Sequence, residues 1–527
     1  MFTKILTAVL LVIFFAVMIG IGLYCRRHAT NVNSFVLGGR SVGPWLTAFA
    51  FGTSYFSAVV FVGYAGQFGW NFGLASTWIG LGNAFIGSLL AWVVLGRRTR
   101  VMTQHIESKT MPDFFGKRFD SNALKIAASV IVFIFLIPYT ASLYNGLSSL
   151  FNIAFDIPYW VVIVIMAALT GLYVIFGGYM ATAINDFIQG IIMLIGIVAV
   201  VATVLADNGG LMEAMKSLSL IESPYEPTAG MQGAFASFLG TQPVYLLFVV
   251  VLTSLGTWGL PQMVGKFYSI KNEDAVRKGT IISTIFAIVV SGGCYFLGSF
   301  GRLYDDPSLY NANGAIMTDS IVPHMLSDMP SVIIAVVMVL VLSASMSTLS
   351  SLVLTSSSTL TLDVIAPAMK KTDEKKNLFI MRVFIVFFVV ISAVIAILKD
   401  TFNFSMIAQM MGVSWGALAG SFLAPFLYGL YWKRTTKASV AVCFVYGSML
   451  MVIQMLKSMG MIAIEGGFLG LVFTNSLYSG VFAMVGGLII VPVVSLFTPK
   501  QDKAAVDEMF SCYDTHVTIE ATKSLGK

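Results

Sequence analysis

The stretch "SVIIAVVMVLVLSASMSTLSSLVLTSSSTLTLD", residues 331–363, begins as an apolar run and continues into a segment rich in hydroxyl side chains. From Ser343 to Asp363 it holds 12 serines and threonines in 21 residues. A hydrocarbon environment offers no water to polar groups, so such a cluster persists only where it lines a cavity or an ion path. The stretch therefore predicts a membrane-spanning helix with a polar site in its second half.

The composition is that of a polytopic membrane protein. The 527 residues are 57% hydrophobic and 11% charged, with a mean hydropathy of +0.87, far from the average of soluble domains. Runs of about 20 apolar residues, each long enough to cross about 30 Å of hydrocarbon as a helix, recur along the chain. We predict an all-α polytopic membrane protein with about 13 transmembrane helices. They are expected near residues 5–24, 44–72, 75–96, 123–151, 159–176, 184–206, 240–262, 278–301, 331–362, 378–398, 404–431, 437–457 and 474–496.

The distribution of Lys and Arg predicts the orientation, because cytoplasmic loops carry an excess of these residues. With the N-terminus outside, all but five of the 31 fall on the cytoplasmic side, among them the segment Lys266 to Lys278. We therefore expect a multi-pass protein of the plasma (inner) membrane with a cytoplasmic C-terminus. The first span is too long for a signal-peptide core, and its basic pair follows it, so we expect it to be retained.

The charge and the cysteines exclude other classes. The net charge of +6 follows from the topology and does not predict a nucleic-acid partner. Cys25, Cys294, Cys443 and Cys512 have no metal or redox spacing. The four histidines fall in loops or in the tail, and no buried acid pair is apparent. The sequence therefore does not predict an enzyme.

A second polar interruption lies in the span at 44–72. The cluster "GTSYFS", Gly52 to Ser57, stands near mid-depth and predicts a helix that can unwind and present carbonyls. In the opening stretch, Ala344, Ser347 and Thr348 share one helical face. Uncharged oxygens suit a weakly held monovalent cation. The alternative is that the hydroxyls bond to the carbonyl four residues back or let helices pack closely.

A single acid stands at the inner mouth of an otherwise uncharged span. Asp186 occurs in "GGYMATAINDFIQG", residues 177–190. It has two interpretations: a helix-end charge favoured by the helix dipole, or a waypoint for a departing cation.

Five segments resemble the sodium:solute symporter family, whose members carry proline, pantothenate, sugars or monocarboxylates. The segments are "LGGRSVGPWLTAFAFGTSYFSA", "FGGYMATAINDFIQGIIM", "GTWGLPQMVGKFYSIKNEDAVRKG", "ASMSTLSS" and "LAPFLYGLYWKR". The resemblance implies the leucine-transporter-like fold, with two inverted repeats of five helices around a site near the bilayer midplane. The implied domains are an extra helix with its first loop (1–32), a symporter core (33–434) with repeats at about 44–206 and 240–431, two further helices (435–497) and a cytoplasmic tail (498–527).

The resemblance also implies a site for Na⁺ as the coupling ion, between the second and ninth spans. Carried over residue by residue, its ligands are the backbone carbonyls of Thr53, Phe56 and Ala344 and the hydroxyls of Ser347 and Thr348.

The chain departs from the proline symporters at several positions. Tyr55 stands where they have an aspartate, and Thr253 and Thr257 stand where they have Trp and Tyr. The segment "GLPQMVGKFYSIKNEDAVRKG" is nearer to the pantothenate type. These departures favour a monocarboxylate or pantothenate-like acid over proline.

Six residues are candidates for binding the solute. Tyr139 matches an aromatic residue that lines the family's solute cavity, and Gln67, Trp258 and Gln409 are chosen by depth. No basic residue is expected in the middle of any span, so an anion would depend on helix-end N–H groups, hydroxyls and bound Na⁺. The candidates are Thr53, Gln67, Tyr139, Thr257, Trp258 and Gln409.

Together these features predict a sodium-coupled symporter that imports a small organic solute by alternating access. An amino acid or a sugar is the alternative solute, and a membrane solute sensor is the alternative from another class. A channel is disfavoured because its polar residues would have to line the whole depth of the membrane. The expected partners are the solute, Na⁺ and the lipid bilayer, and no obligate protein partner is evident.

Overall fold

A computed structural model describes residues 2–514 except 28, 156–157, 328, 370–372 and 399–406. The start of the span expected at 404–431 and residues 515–527 of the tail lie outside the described residues. In the described part the chain is almost wholly helical, and β-pairing consists of two isolated bridges, Val42–Ile270 and Tyr310–Ile316. The all-α prediction is confirmed.

The helices fall into three groups. Long single helices are Phe2–Cys25, Asn122–Phe155, Tyr159–Asp207, Ser331–Thr359, Glu374–Ile397, Ile407–Tyr431, Lys437–Ser458 and Ser476–Phe497. Consecutive shorter helices are Pro44–Tyr55, Val59–Tyr64, Ala65–Phe72, Gly73–Ser76, Thr77–Gly82, Asn83–Leu90, Trp92–Gly96, Arg97–His105, Pro243–Leu255, Gly256–Gly259, Pro261–Ser269, Glu273–Ala287, Ile288–Gly292 and Gly293–Gly298. Peripheral short helices are Val32–Leu37, Gly38–Arg40, Met111–Arg118, Leu211–Ser219, Ala234–Ala236, Gly301–Tyr304, Pro307–Leu309, Thr318–Ser320, Ile321–Met325, Leu360–Ile365, Ala366–Ala368, Gly467–Val472 and Lys503–Ser511.

The number of membrane crossings depends on how two very long helical segments are counted. Among the described residues, ten helices are long and apolar enough to cross a membrane, or up to eleven with the bent pair at 243–269. Val59–His105 has 47 residues and Tyr159–Asp207 has 49, so at 1.5 Å per residue each is about 70 Å long, roughly twice the hydrocarbon thickness. Each contains a left-handed glycine, Gly73 (φ 61°) and Gly178 (φ 54°), at which the chain can turn. If each of these two long segments crosses the membrane twice, the number of crossings is thirteen. That number stays a prediction.

Four helical segments meet around the centre of the molecule. The broken helix is residues 44–55 with its continuation 59–72, and the hydroxyl-rich helix is Ser331–Thr359. The long kinked helix is Tyr159–Asp207, and the bent pair is residues 243–259 with Pro261–Ser269.

Glycines set the distance between the broken helix and its neighbours. A Cβ atom on Gly190 of the long kinked helix would lie 2.4 Å from Phe49 Cδ1 and 3.0 Å from Thr53 Cγ2. A Cβ atom on Gly52 would lie 2.4 Å from Phe286 Cδ1. Small residues at such positions let membrane helices approach closely, where dispersion forces hold them together. The break in the second span is thereby enclosed by helices on several sides.

The tail packs against one side of the helix bundle, which we call the tail side. The buried guanidinium of Arg118 donates a hydrogen bond to Gln501 Oε1 (2.7 Å). Lys433 forms an ion pair with Asp507 (2.7 Å), within the tail helix Lys503–Ser511. The loops that carry Arg118 and Lys433 thus share a side with the tail.

The opposite side is covered by a loop. Arg302 donates to the Trp70 carbonyl (2.7 Å) and to the Tyr225 hydroxyl (3.0 Å), and the Tyr225 hydroxyl donates to Asn71 Oδ1 (3.0 Å). The guanidinium also lies 4.3 Å from the centroid of the Phe235 ring. These contacts fix the loop at 220–241 over the end of the broken helix.

Candidate functional site

The candidate ion site begins with the break in the second span. The helix Pro44–Tyr55 ends at Phe56, whose backbone is extended (φ −103°, ψ 93°), and helical structure resumes at Val59. The last carbonyls of a helix have no partner within it, so those of the final turn can accept hydrogen bonds from elsewhere. The unwinding predicted from "GTSYFS" is therefore present, and Phe56 lies at its start.

Four oxygen atoms from the broken helix and the hydroxyl-rich helix meet at this break. The Ser347 and Thr348 hydroxyls each donate to the Thr53 carbonyl at 3.1 Å. The same hydroxyls lie 3.2 Å and 3.1 Å from the Ala344 carbonyl. All four residues are buried. The structure thus brings together Thr53, Ala344, Ser347 and Thr348, while Phe56 contributes the adjoining turn of backbone.

The hydroxyls of Ser347 and Thr348 fit both interpretations, a hydrogen bond within their own helix and a contact that could serve a bound cation. Each bonds to the Ala344 carbonyl within its own helix, as expected of Ser and Thr in membrane helices. Each also reaches Thr53 in another helix, 294 or 295 residues away in sequence. A hydroxyl that serves only its own helix would not make the second contact. Neutral carbonyl and hydroxyl oxygens from two helices are suited to replace the hydration shell of a monovalent cation.

The acid expected at the inner mouth lies next to a buried lysine. Asp186 is fully buried, and its Oδ2 is 3.7 Å from the ammonium of Lys266, which is 3% exposed. The Lys266 ammonium also donates a hydrogen bond to Ser351 Oγ (2.9 Å). The prediction that Lys266 lies in a cytoplasmic loop is wrong, because Lys266 is buried. The bent pair turns by 46°, which directs Pro261–Ser269 into the bundle.

The ion pair is linked to the oxygen cluster through Ser351 by two hydrogen bonds. Ser54 follows Thr53, and its hydroxyl lies 2.8 Å from the Ser351 hydroxyl. Ser351 in turn accepts a hydrogen bond from Lys266. Ser347 and Ser351 are four residues apart, so they share a face of the hydroxyl-rich helix and lie about 6 Å apart along its axis.

A crevice lined in part by polar side chains lies beside Lys266. It encloses about 520 Å³ of empty space, including the open space at its mouth. Its walls include Lys266, Ser351, Tyr179 and Gln262 at one end and the loop Lys109–Met111 at the other. The Gln262 side chain makes no hydrogen bond to a described residue. The crevice wall thus combines these polar side chains with apolar surface.

A second group of polar atoms lies near the other end of the break. The hydroxyls of Ser57 and Tyr139 and the indole N–H of Trp415 lie near one another and are buried, and within the described residues none of them forms a well-aligned hydrogen bond. The Tyr139 and Trp415 rings meet edge to face with centroids 6.1 Å apart. Buried donors without well-aligned partners are costly, so they identify this aromatic cluster as a place where a polar ligand could bind. Ser57 and Trp415 were not among the sequence-based candidates.

Three candidates for the solute are already engaged elsewhere. The Thr257 hydroxyl lies 3.1 Å from the Gly87 carbonyl, and the Trp258 indole donates to the Ile86 carbonyl (3.0 Å). Thr53 uses its own hydroxyl within its helix, donating to the Phe49 carbonyl (2.9 Å). These contacts indicate packing roles for the three side chains.

The glutamine candidates are not placed against the aromatic cluster by any contact described. Gln67 is buried in the helix Ala65–Phe72, and its Oε1 accepts no hydrogen bond from a described residue. Gln409 is half-buried near the start of Ile407–Tyr431. Their part in solute binding stays a prediction.

Tyr55, which stands where proline symporters have an acid, is a structural residue here. Its hydroxyl donates to the Thr253 carbonyl (2.6 Å). Its ring stacks on Phe56 with centroids 4.3 Å apart and lies 5.9 Å from Trp415. Tyr55 thus connects the break to the bent pair and to the aromatic cluster.

Comparison with known proteins gives the family. The model of the sodium:solute symporter family matches residues 35–447, most of the chain. The chain belongs to the sodium:solute symporter family. Sodium/proline symporter 2 of Staphylococcus saprophyticus is 28% identical over 495 residues, covering 89% of this chain and 91% of that protein. The osmoregulated proline transporter OpuE of Bacillus subtilis is 28% identical over 509 residues, covering 94% and 95%.

Solved structures show the same fold. A Na⁺-coupled sialic acid symporter in a substrate-bound, outward-open state matches with a TM-score of 0.75 at 16% identity, over 94% of this chain and 99% of that one. Mhp1, a nucleobase-cation-symport-1 family transporter, matches with a TM-score of 0.51 at 13% identity, over 91% and 98%. The predicted leucine-transporter-like fold is confirmed.

Family membership also confirms the coarser functional predictions. This symporter is an integral membrane transporter and not an enzyme, and Na⁺ is its coupling ion. A small organic solute is its other cargo. The ligands of the ion, the domain boundaries within the chain and the identity of the solute remain predictions.

Proposed function

We propose that this symporter uses inward movement of Na⁺ to drive uptake of a small solute that carries a carboxylate. The observation that carries the proposal is the meeting of the Thr53 and Ala344 carbonyls with the Ser347 and Thr348 hydroxyls at a helix break. This set contains oxygens only and has no formal charge, which suits an ion that must be bound and then released. Phe56 is the fifth proposed ligand, through its carbonyl at the break.

The proposed direction of transport follows from the basic loops. Those that carry Arg118 and Lys433 lie with the tail, and the positive-inside rule makes that side cytoplasmic, so the N-terminus is outside. The crevice beside Lys266, with the loop Lys109–Met111 in its wall, then lies toward the cytoplasm. Asp186 is the proposed waypoint through which the cation leaves.

The proposed solute site is the aromatic cluster of Ser57, Tyr139 and Trp415. Two hydroxyls and an indole N–H can donate to a carboxylate, and the rings provide apolar walls. Bound Na⁺ at the other end of the break would contribute the positive charge that the cluster lacks. Sequence likeness in the seventh span favours a pantothenate-like monocarboxylate, whereas the names of the relatives, which are proline transporters, make proline the second candidate.

The net charge of the solute can be tested through the membrane potential. One charge is worth about 2.3 kcal/mol per 100 mV, and a tenfold Na⁺ gradient adds about 1.4 kcal/mol. With one Na⁺, a zwitterion such as proline could be accumulated roughly 500-fold, whereas a monoanion would be limited to about tenfold because no net charge moves.

The experiment is uptake of radiolabelled proline, pantothenate and short monocarboxylates into proteoliposomes. Each is measured with a Na⁺ gradient, with K⁺ replacing Na⁺, and with the membrane potential set by valinomycin. We expect Na⁺-dependent uptake of at least one carboxylate and weak competition by its methyl ester. Equal competition by the ester would contradict the carboxylate, and uptake that is independent of Na⁺ would contradict the coupling.

A further inference from the structure

The Asp186 and Lys266 pair is an unusual feature inside a membrane protein, where buried charges are expensive. Neither side chain is more than 4% exposed. The separation of 3.7 Å is longer than a hydrogen bond, and within the described residues neither Asp186 oxygen accepts one. The carboxylate therefore lacks the hydrogen bonds that usually compensate a buried charge, while the ammonium has one, to Ser351.

The groups around the Lys266 ammonium are those that a small cation would select. They are the Asp186 carboxylate, the Ser351 hydroxyl at 2.9 Å and, through Ser351, the Ser54 hydroxyl. The Tyr179 ring, 5.4 Å from the ammonium, presents its π face to the same charge. Unlike the neutral cluster at Ser347, this group of oxygens includes one full negative charge.

The two sites are one helical turn apart on the hydroxyl-rich helix. Ser347 belongs to the proposed sodium site and Ser351 to the ion pair, with about 6 Å between them along the axis. Ser54 and Thr53 are adjacent and face Ser351 and Ser347 respectively. The broken helix and the hydroxyl-rich helix therefore contribute to both sites in the same register.

We propose that the Lys266 ammonium fills a second cation site, formed by Asp186, Ser351 and Ser54, and so limits this symporter to one Na⁺ per transport cycle. The inference rests on the proposed function, because it takes Ser347 and Thr348 as the first ion's site. A tethered ammonium cannot leave with the solute. It therefore contributes positive charge to the site but no transported ion to drive solute uptake. It also competes for Asp186, which keeps a departing Na⁺ from being trapped there.

Removal of the ammonium should open the site to a free ion. In Lys266→Met a side chain of similar length remains, but the Asp186 carboxylate is left buried without a counter-charge, which is strongly unfavourable. We expect equilibrium ²²Na⁺ binding to purified protein to rise from one ion per chain to two. The Hill coefficient for Na⁺ should rise from about one toward two. In liposomes, the ratio of Na⁺ to solute transported should double.

Three variants serve as controls. Lys266→Met combined with Asp186→Asn should bind one ion, because the carboxylate that attracts the second is gone. Lys266→Arg keeps the charge and should bind one. Lys278→Met removes an exposed lysine that pairs with Asp274 at 2.8 Å and should also bind one. A folded Lys266→Met protein that binds one ion, or a wild-type protein that binds two, would overturn the inference.

A second route avoids dependence on the folding of Lys266→Met. Lys266→Cys should bind two ions, and alkylation with 2-bromoethylamine, which rebuilds a lysine-like ammonium on the sulfur, should restore one. The side chain at 266 lines the crevice, and treated wild-type protein controls for the native cysteines. Unchanged binding on alkylation at complete modification would contradict the proposal.

The experiment can contradict the proposed function without contradicting this inference. If Ser347 and Thr348 do not hold the first ion, Ser347→Ala with Thr348→Ala leaves the wild-type stoichiometry at one. The difference between wild type and Lys266→Met then still reports on the second site.

Discussion

Substitution of Thr348 by valine removes one proposed sodium ligand and little else. Valine has nearly the shape of threonine, so packing is kept and only the hydroxyl is lost. That hydroxyl lies 3.1 Å from the Thr53 carbonyl and 3.1 Å from the Ala344 carbonyl. Thr53 retains the hydrogen bond from Ser347, so the broken helix should keep its position.

The expected effect is the difference between two interactions of the same hydroxyl. With Na⁺ bound, an interaction with a charged group is worth about 1.5–3 kcal/mol, whereas without the ion the hydrogen bonds to neutral carbonyls are worth about 0.5–1.5 kcal/mol. The net loss on binding is then about 1–1.5 kcal/mol. This corresponds to a half-saturating Na⁺ concentration about 5- to 13-fold higher.

The measurement is equilibrium ²²Na⁺ binding to purified protein, with Na⁺-dependent uptake in proteoliposomes alongside. Thr348→Ser keeps the hydroxyl and should stay within about twofold of wild type. Ser357→Ala removes a hydroxyl that bonds only to its own helix, at the Val353 and Leu354 carbonyls, and should have no effect. Ser347→Ala with Thr348→Ala should shift the concentration further. If this double variant binds Na⁺ like wild type, the site is elsewhere.

The remaining predictions concern three other positions. Asp186→Asn should slow turnover more than it weakens equilibrium solute binding, because the waypoint for the ion loses its charge; normal turnover would make Asp186 a structural residue. Tyr139→Phe should weaken solute binding by roughly fivefold through one lost donor, and Tyr139→Ala by more because the ring is lost too; equal effects in a binding assay would count against ring packing. Gly190→Ala should destabilise the protein by about 1–3 kcal/mol, seen as earlier thermal unfolding, because its Cβ would lie 2.4 Å from Phe49. Gly171→Ala on the same helix meets no atom within 4 Å and is its control.

The meeting of oxygen atoms at the helix break was predictable from sequence because its signal is local. Ala344, Ser347 and Thr348 share a face by spacing alone, and Gly52 with its polar neighbours marks the break. Hydroxyl clusters are rare in apolar spans, so two such clusters in one chain can be paired without knowledge of the packing. The structure adds the contacts of Ser347 and Thr348 with Thr53, on which the proposed ligand set now depends.

Lys266 was missed because its position in the membrane depends on a bend. By sequence it follows an apolar run and opens a basic segment, which is typical of a cytoplasmic loop. Pro261 begins a new helix after Leu260, and the turn of 46° directs that helix back into the protein. A hydropathy value averaged over a window of sequence does not detect such a turn. A signal was available in Asp186, since a buried acid requires a partner.

Three of the solute residues were predicted by depth, and depth does not decide which way a side chain faces. Trp258 and Trp415 were both possible by that criterion. The Trp258 indole is bonded to the Ile86 carbonyl, whereas the Trp415 indole forms no well-aligned hydrogen bond among the described residues and lies beside Tyr139. The two tryptophans differ only in how their helices are rotated, which decides the direction that each side chain faces. The sequence of an apolar span with little amphipathicity carries almost no information on that rotation.

The break itself offers a physical route for coupling between the two cargoes. Thr53 on one side of it faces the proposed ion site, and Ser57 on the other side belongs to the aromatic cluster. Between them, Tyr55 and Phe56 stack on each other, and Tyr55 packs against Trp415. An ion that holds the carbonyls of this turn reduces the freedom of the same few residues that meet the solute. The second ligand then binds to a segment that is already ordered, and by linkage each cargo raises the affinity for the other by the same factor.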